Sequence, residues 1–112
     1  MDVFTALADP TRRHVLDLLL IRDRAAGELV EAFPTLSQPA ISRHLRVLRE
    51  AGLIQARVDA QRRIYSLRPE AFQELNAWVA RYQSFWTRSL DALGAHLDAQ
   101  SRNGTRRQEN QP

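Results

Sequence analysis

The chain has 112 residues, a net charge of +3, 44% hydrophobic and 26% charged residues, and no cysteine. That length suits one domain and the balance is ordinary for a globular protein; the lack of cysteine excludes disulfides, thiolate metal sites and thiol redox switches. No apolar run approaches the roughly 18–20 residues a membrane span needs, and MDVFTALADPTRR lacks the charged-then-apolar layout of a signal peptide, so a cytoplasmic protein is the simplest expectation.

Val3, Phe4 and Leu7 suggest a short first helix. Asp9-Pro10 then breaks and restarts the chain, because Asp caps a helix and Pro is tolerated at its first position. From Thr11 the residues Val15, Leu16, Leu18, Leu19 and Leu20 predict a dense, mostly buried apolar helix. Arg22-Asp23-Arg24 reads as a polar connection. Ala25 to Phe33 predicts a second short amphipathic helix, closed by Pro34. After a turn at Thr35-Leu36-Ser37, Ser37 is placed to cap a helix with Pro39 in its first turn; it should run to about Ala51, with Gly52 as the stop. The period then changes. Residues 53–58 and 63–67 read as two strands, with Asp59-Ala60-Gln61-Arg62 as the turn of a hairpin. Arg68-Pro69-Glu70 opens a long helix on which Phe72, Leu75, Trp78 or Val79, Tyr82, Phe85 or Trp86, Leu90, Leu93 and Leu97 recur every three to four residues. From residue 100 to 112 no large apolar residue remains, so an unstructured tail is expected there.

The expected fold is therefore mainly α with a small β-hairpin, in the order α-α-α-α-β-β-α. One domain would fill residues 1–99, with a helix-turn-helix at about 25–52, a wing at about 53–67 and a last helix at about 69–98. In such a unit the second helix enters the major groove with its N-terminal residues near the base edges. The charge is concentrated there: residues 37–68 hold seven Arg and two acids. All 16 basic residues are arginine, whose planar fork suits phosphate and guanine edges; the weight rests on the clustering. Ile41, Leu45 and Leu48 sit at i, i+4 and i+7, where they would fix the helix to a core. Gln38, Ser42, Arg46 and Arg49 form the exposed line, flanked by Arg43. Gln suits adenine, Arg suits guanine and Ser is permissive; Arg49, a turn further on, suits phosphate or solvent. Arg57, Arg62 and Arg63 on the hairpin are placed for phosphates beside the groove or for the minor groove, which orients a protein without reading sequence.

The runs ALADPTRRHVLDLL, GELVEAF, LSQPAISRHLRVLREAGLI and RRIYSL resemble the ArsR/SmtB family of bacterial winged helix-turn-helix repressors, from about Val3 to Leu67. The resemblance implies a homodimer paired through the first helix (Val3, Phe4, Leu7) and the last. It also implies binding to a palindromic, inverted-repeat operator of double-stranded DNA, usually blocking transcription, often of the protein's own or a neighbouring operon. It places Gln38, Pro39, Ser42, Arg43 and Arg46 in the recognition helix, and Arg62 and Arg63 in the wing; Ser37, from its capping position, and Arg57, from its place on the hairpin, join them as candidate DNA-binding residues. His44 matches a common family histidine, read as supporting the interface. The chain departs from the family's metal sensors: AAGELVEAF lacks their Cys-x-Cys pair, and the last helix offers only His96 with Asp91 and Asp98. Neither metal sensing nor a cofactor is expected, and the segment WVARYQSFWTRSLDALGAHLD resembles a metal-independent, self-repressing subgroup of the family. A second departure is the wing turn, where the family usually has glycine and this chain has Asp59-Ala60-Gln61-Arg62.

Trp78, Tyr82, Phe85 and Trp86, continued by Leu90 and Leu93, leave three readings open: intramolecular core, a dimer seam, or a small hydrophobic effector site between the rings. The seam is favoured, because aromatic residues are enriched at interfaces. A winged-helix module that docks proteins and binds DNA weakly is the alternative function. An enzyme is disfavoured, since no Gly-rich phosphate loop and no His/acid pair at catalytic spacing occurs.

Overall fold

The structure, a computed structural model, describes residues 2–109, with side chains described through residue 100. Its elements are α1 (Val3–Leu7), α2 (Pro10–Ile21), β1 (Arg24–Ala25), α3 (Ala26–Glu31), α4 (Gln38–Glu50), β2 (Ile54–Asp59), β3 (Arg62–Leu67) and α5 (Pro69–Glu109).

Short polar side chains start the helices. The Asp2 carboxylate accepts the Thr5 N–H at 2.8 Å, and Asp9 accepts those of Thr11 at 2.8 Å and Arg12 at 3.2 Å, with Pro10 opening α2. Ser37 Oγ accepts the Ala40 N–H at 3.2 Å, one of the donors that the first turn of α4 leaves open. Ala25 has no side-chain acceptor to cap α3; instead Glu28 reaches back and accepts the Ala25 N–H at 3.3 Å. At the other end of α4, Gly52 takes φ +77°. Its N–H bonds Arg49 O at 2.9 Å, and the Leu53 N–H bonds Leu48 O at 3.0 Å. That paired pattern closes a helix with a glycine in the left-handed region. The two leucines that flank it, Leu48 and Leu53, are both fully buried.

Strand β3 lies between β1 and β2 in an antiparallel sheet. β2 and β3 pair from Ile54↔Leu67 to Asp59↔Arg62, leaving Ala60-Gln61 as a two-residue loop. Ala60 takes φ +58°, as tight hairpin loops demand. The core is Val3, Ala6, Val15, Leu16, Leu19, Leu29, Phe33, Ile41, Leu45, Leu48, Leu53, Ile54, Tyr65 and Ala71, with Phe72 and Leu75 packed against it. Each of the first four helices thus contributes one apolar stripe.

Residues 1–75 and 76–112 form two compact units. The second is the continuation of α5. Along it Tyr82, Phe85, Trp86, Leu90, Leu93 and Leu97 are exposed, as is Trp78. None of the described residues forms a helix long and apolar enough to cross a membrane.

The structure corrects four expectations. Leu20, expected in a mostly buried helix, is 75% exposed, and its neighbour Ile21 is 76% exposed; both stand at the last turn of α2, where the core of Val15, Leu16 and Leu19 has ended. Arg24, read as connection, and Ala25, read as the start of the second helix, form strand β1 against Tyr65 and Ile64, a pairing too short to leave a period. Val3, expected at a dimer contact, is buried in this chain's own core at 3% exposure. The backbone of α5 is helical to Glu109, past the tail boundary expected at 100; no proline stands between Pro69 and Pro112 to break it. Residues 110–112 of the expected tail lie outside the described residues.

Candidate nucleic-acid interface

Helix α4 is held from beneath by Ile41, Leu45 and Leu48, all buried. At about 3.6 residues per turn the opposite side carries Pro39, Arg43 and Arg46, with Gln38, Ser42 and Arg49 along one edge. All six of these residues are exposed, as is the cap Ser37. The guanidinium groups of Arg43, Arg46 and Arg49 have neither ion pair nor hydrogen bond among the described residues. Gln38 and Ser42 rim a groove of about 310 Å³ between α3 and α4, floored by Val30, Ile41, Leu45 and Tyr65. The row therefore has open space beside it and unsatisfied donors along it.

His44 differs from its neighbours. It is half-buried on the flank of α4 that turns toward α1 and α2. Its Nδ1 lies 3.3 Å from Arg12 Nη1. Arginine can only donate, so Nδ1 is the acceptor in this contact. The same guanidinium donates to Ala6 O at 2.7 Å and Thr5 O at 3.2 Å, which are carbonyls at the end of α1. Asp9 Oδ2 stands 3.9 Å from it. One arginine thus joins the end of α1, the cap of α2 and the middle of α4. Burial pushes the Asp9 carboxyl up, but the N–H groups of Arg12 and Thr11, with the His44 ring and the Arg12 charge beside them, hold it below its ordinary value.

The wing arginines divide. Arg57 Nη1 pairs with Asp23 Oδ2 at 2.9 Å, and Arg62 Nη2 with Glu28 Oε1 at 3.4 Å. Glu28 also takes Arg22 Nη2 on its other oxygen at 2.6 Å. The Arg22 bond, then the Ala25 N–H, with the Arg62 charge helping, keep the Glu28 carboxyl below its ordinary value. Only Arg63 of the three lacks a carboxylate; its guanidinium lies 6.0 Å from the centre of the Tyr65 ring. The hairpin is therefore strapped to the start of α3 by two acids. Sequence reasoning missed Arg12, Asp23 and Glu28 as organisers of the site. Glu28, three residues after the cap of α3, stands at a capping-box position and could have been found; nothing local marks the other two.

The three histidines occupy different settings: His14 packs edge-on against Phe33 at 4.9 Å, His44 meets Arg12, and His96 lies 3.0 Å from the Gln100 amide nitrogen. Among the described residues no three His, Cys, Asp or Glu side chains group to hold a metal ion.

Residues 9–56 match the family model described as bacterial regulatory protein, arsR family. The chain is 39% identical over 95 residues to an HTH-type transcriptional regulator of Mycobacterium tuberculosis, covering 85% of each chain. It is 40% identical over 81 residues to the transcriptional repressor SdpR of Bacillus subtilis, covering 72% of this chain and 89% of that one. Among solved structures, a possible transcriptional regulator for arsenical resistance is similar at a TM-score of 0.66 and 41% identity, over 85% of this chain and 95% of its own. An ArsR family transcriptional regulator is similar at a TM-score of 0.67 and 33% identity, over 75% and 86%.

Proposed function

We propose, from the premise that the chain belongs to the arsR family of bacterial regulatory proteins and is a DNA-binding transcriptional regulator rather than an enzyme, that it works as a homodimeric repressor on an inverted-repeat operator. The observation that carries this reading is the exposed row on α4. Gln38, Ser42, Arg43 and Arg46 project from a helix whose other side is locked into the core, so they can be presented to base edges without cost to the fold. Ser37 and Pro39 set the start of that helix. His44, bound to Arg12, holds the helix at its angle, a role consistent with support of the interface. Arg63 is the wing residue best placed to take a phosphate, while Arg57 and Arg62 would first have to leave Asp23 and Glu28.

The dimer reading is supported by α5. Tyr82, Phe85, Trp86, Leu90 and Leu93, at 44–67% exposure, recur at helical spacing, and monomers rarely leave so large an apolar stripe open to water. Phe4, exposed on α1, is the candidate of that element, with Leu7 half-buried beside it. Metal-independent repression is supported by the missing Cys-x-Cys pair in AAGELVEAF; a small apolar effector between the rings of α5 is an alternative use of the same stripe.

Selection of duplexes from a random library, followed by footprinting upstream of the protein's own gene, tests the DNA reading. A protected inverted repeat is expected. Recovery of no preferred duplex at moderate salt, with protein partners captured instead, would favour a protein-docking module. Light scattering on the wild type and on Trp86→Arg tests the dimer: mass should halve in the variant.

A further inference from the structure

A second cleft of about 420 Å³ opens between the C-terminal half of α4 and the base of β2. Arg46, Arg49 and Arg68 line it, with Glu50 and Gln55 between them and Ile54 as its apolar floor. Three arginines thus line it against one acid. Arg46 and Arg49 have no partner among the described residues, and Arg68 holds only a loose pair, Nε to Glu70 Oε2 at 3.6 Å, with its side chain 46% exposed. The positions are built. Arg49 sits in the last turn that Gly52 closes, and the Arg68 N–H bonds Leu53 O at 2.9 Å, which pins the third arginine where the cleft begins. A cleft for an apolar ligand would be lined mainly by hydrophobic and aromatic side chains. This one carries cations with open donors, so it suits an anion that can accept from planar forks, a phosphate above all.

We propose that this cleft takes a backbone phosphate of bound DNA, making Arg49 and Arg68 a clamp separate from the base-facing row. The proposal rests on the DNA-binding function above. Along α4, Arg49 lies eleven positions beyond Gln38, about 16 Å at about 1.5 Å per residue. The major groove is about 12 Å wide. If Gln38 and Ser42 stand at base edges inside the groove, the last turn of the same helix reaches the sugar–phosphate wall. Arg46, between the two, rims the cleft while facing the groove. The clamp supplies affinity and orientation but no sequence preference.

The experiment compares the wild type, Arg49→Gln, Arg68→Gln and Gln38→Ala on a duplex selected by the wild type and on a scrambled duplex, over a series of potassium chloride concentrations. Each arginine variant should bind both duplexes severalfold more weakly and lower the slope of log affinity against log salt by about one, as loss of one phosphate contact requires. Gln38→Ala should keep the slope and lose preference between the duplexes. Thermal melts of both exposed arginine variants control for folding. In a second arm, inorganic phosphate is titrated against the DNA-free protein at matched ionic strength. Specific phosphate binding, lost in Arg49→Gln while the DNA slopes stay unchanged, would assign the cleft to a phosphate-bearing solute and overturn the clamp. Unchanged slopes without phosphate binding overturn it as well. A wild type that binds no duplex in a salt-dependent way overturns the DNA function itself, an outcome distinct from failure of the clamp alone.

Discussion

Arg12 and His44, 32 residues apart, meet at 3.3 Å, and through them the start of α2 holds the middle of α4. The bond is one of three that the Arg12 guanidinium makes, the others going to Ala6 O and Thr5 O. Its side chain is only 14% exposed, so removing it leaves partly desolvated acceptors behind. Arg12→Ala should therefore cost about 1–3 kcal/mol in urea denaturation, and His44→Ala, which breaks one bond, about 1 kcal/mol. On DNA, His44→Ala should weaken binding with the same base preference. A shift in preference would show that His44 itself reads bases.

The wing arginines should be unequal. Arg57 and Arg62 are held by Asp23 and Glu28, and a phosphate must compete with those carboxylates. Arg63→Ala should then lower DNA affinity and the salt slope more than Arg57→Ala or Arg62→Ala does. Glu28→Gln frees Arg62 and Arg22 together and should raise affinity severalfold at low salt, an advantage that disappears at high salt as screening takes over. Anisotropy titrations across a salt series read all four variants.

Two turn residues with positive φ should respond in opposite ways to one methyl group. Ala60 pays for its φ of +58° with a steric clash that glycine lacks, so Ala60→Gly should stabilise by up to about 1 kcal/mol. Gly52, at φ +77° with open space around a Cβ, suffers only the backbone penalty. Gly52→Ala should destabilise by about 1–2 kcal/mol. Urea midpoints at a constant m-value measure both.

Acid should remove the helix caps. Asp2, through the Thr5 N–H and hydroxyl, and Asp9, through the bonds that outweigh its burial, are both held below the ordinary 3.8. A group whose folded value is depressed stabilises above its unfolded value and loses that contribution as pH falls through the folded one. The Asp9 cap is thus complete at neutral pH and fades below about pH 4, the ordinary carboxylate value. Asp9→Ala should cost about 1 kcal/mol at neutral pH. Asp9→Asn keeps a capping oxygen and should stay near wild type there while showing a weaker acid-side loss. Melting curves at neutral and acid pH give both comparisons.

Much of the site was legible along the chain. Ser37, Pro39, the spacing of Ile41, Leu45 and Leu48, and Gly52 define α4 locally, because caps, helical period and left-handed stops act over a few residues. The exposed row of Gln38, Ser42, Arg43 and Arg46 follows once the buried stripe is known. The Asp59–Arg62 turn was legible too, although its strain at Ala60 was not.

The sequence by itself determined the order of elements, the two faces of α4, the concentration of arginine between residues 37 and 68, and the aromatic period of α5, since each is a pattern among near neighbours. Tertiary structure alone decided which of those arginines are free. Arg57 and Arg62 meet acids 34 residues before them, Arg12 meets His44, and Arg46, Arg49 and Arg68 come to one cleft only after the chain has turned at Gly52. It also decided that Val3 is core while Leu20 and Ile21 face outward, because burial depends on which surface the fold lays against a helix, and hydrophobicity along the chain does not carry that information.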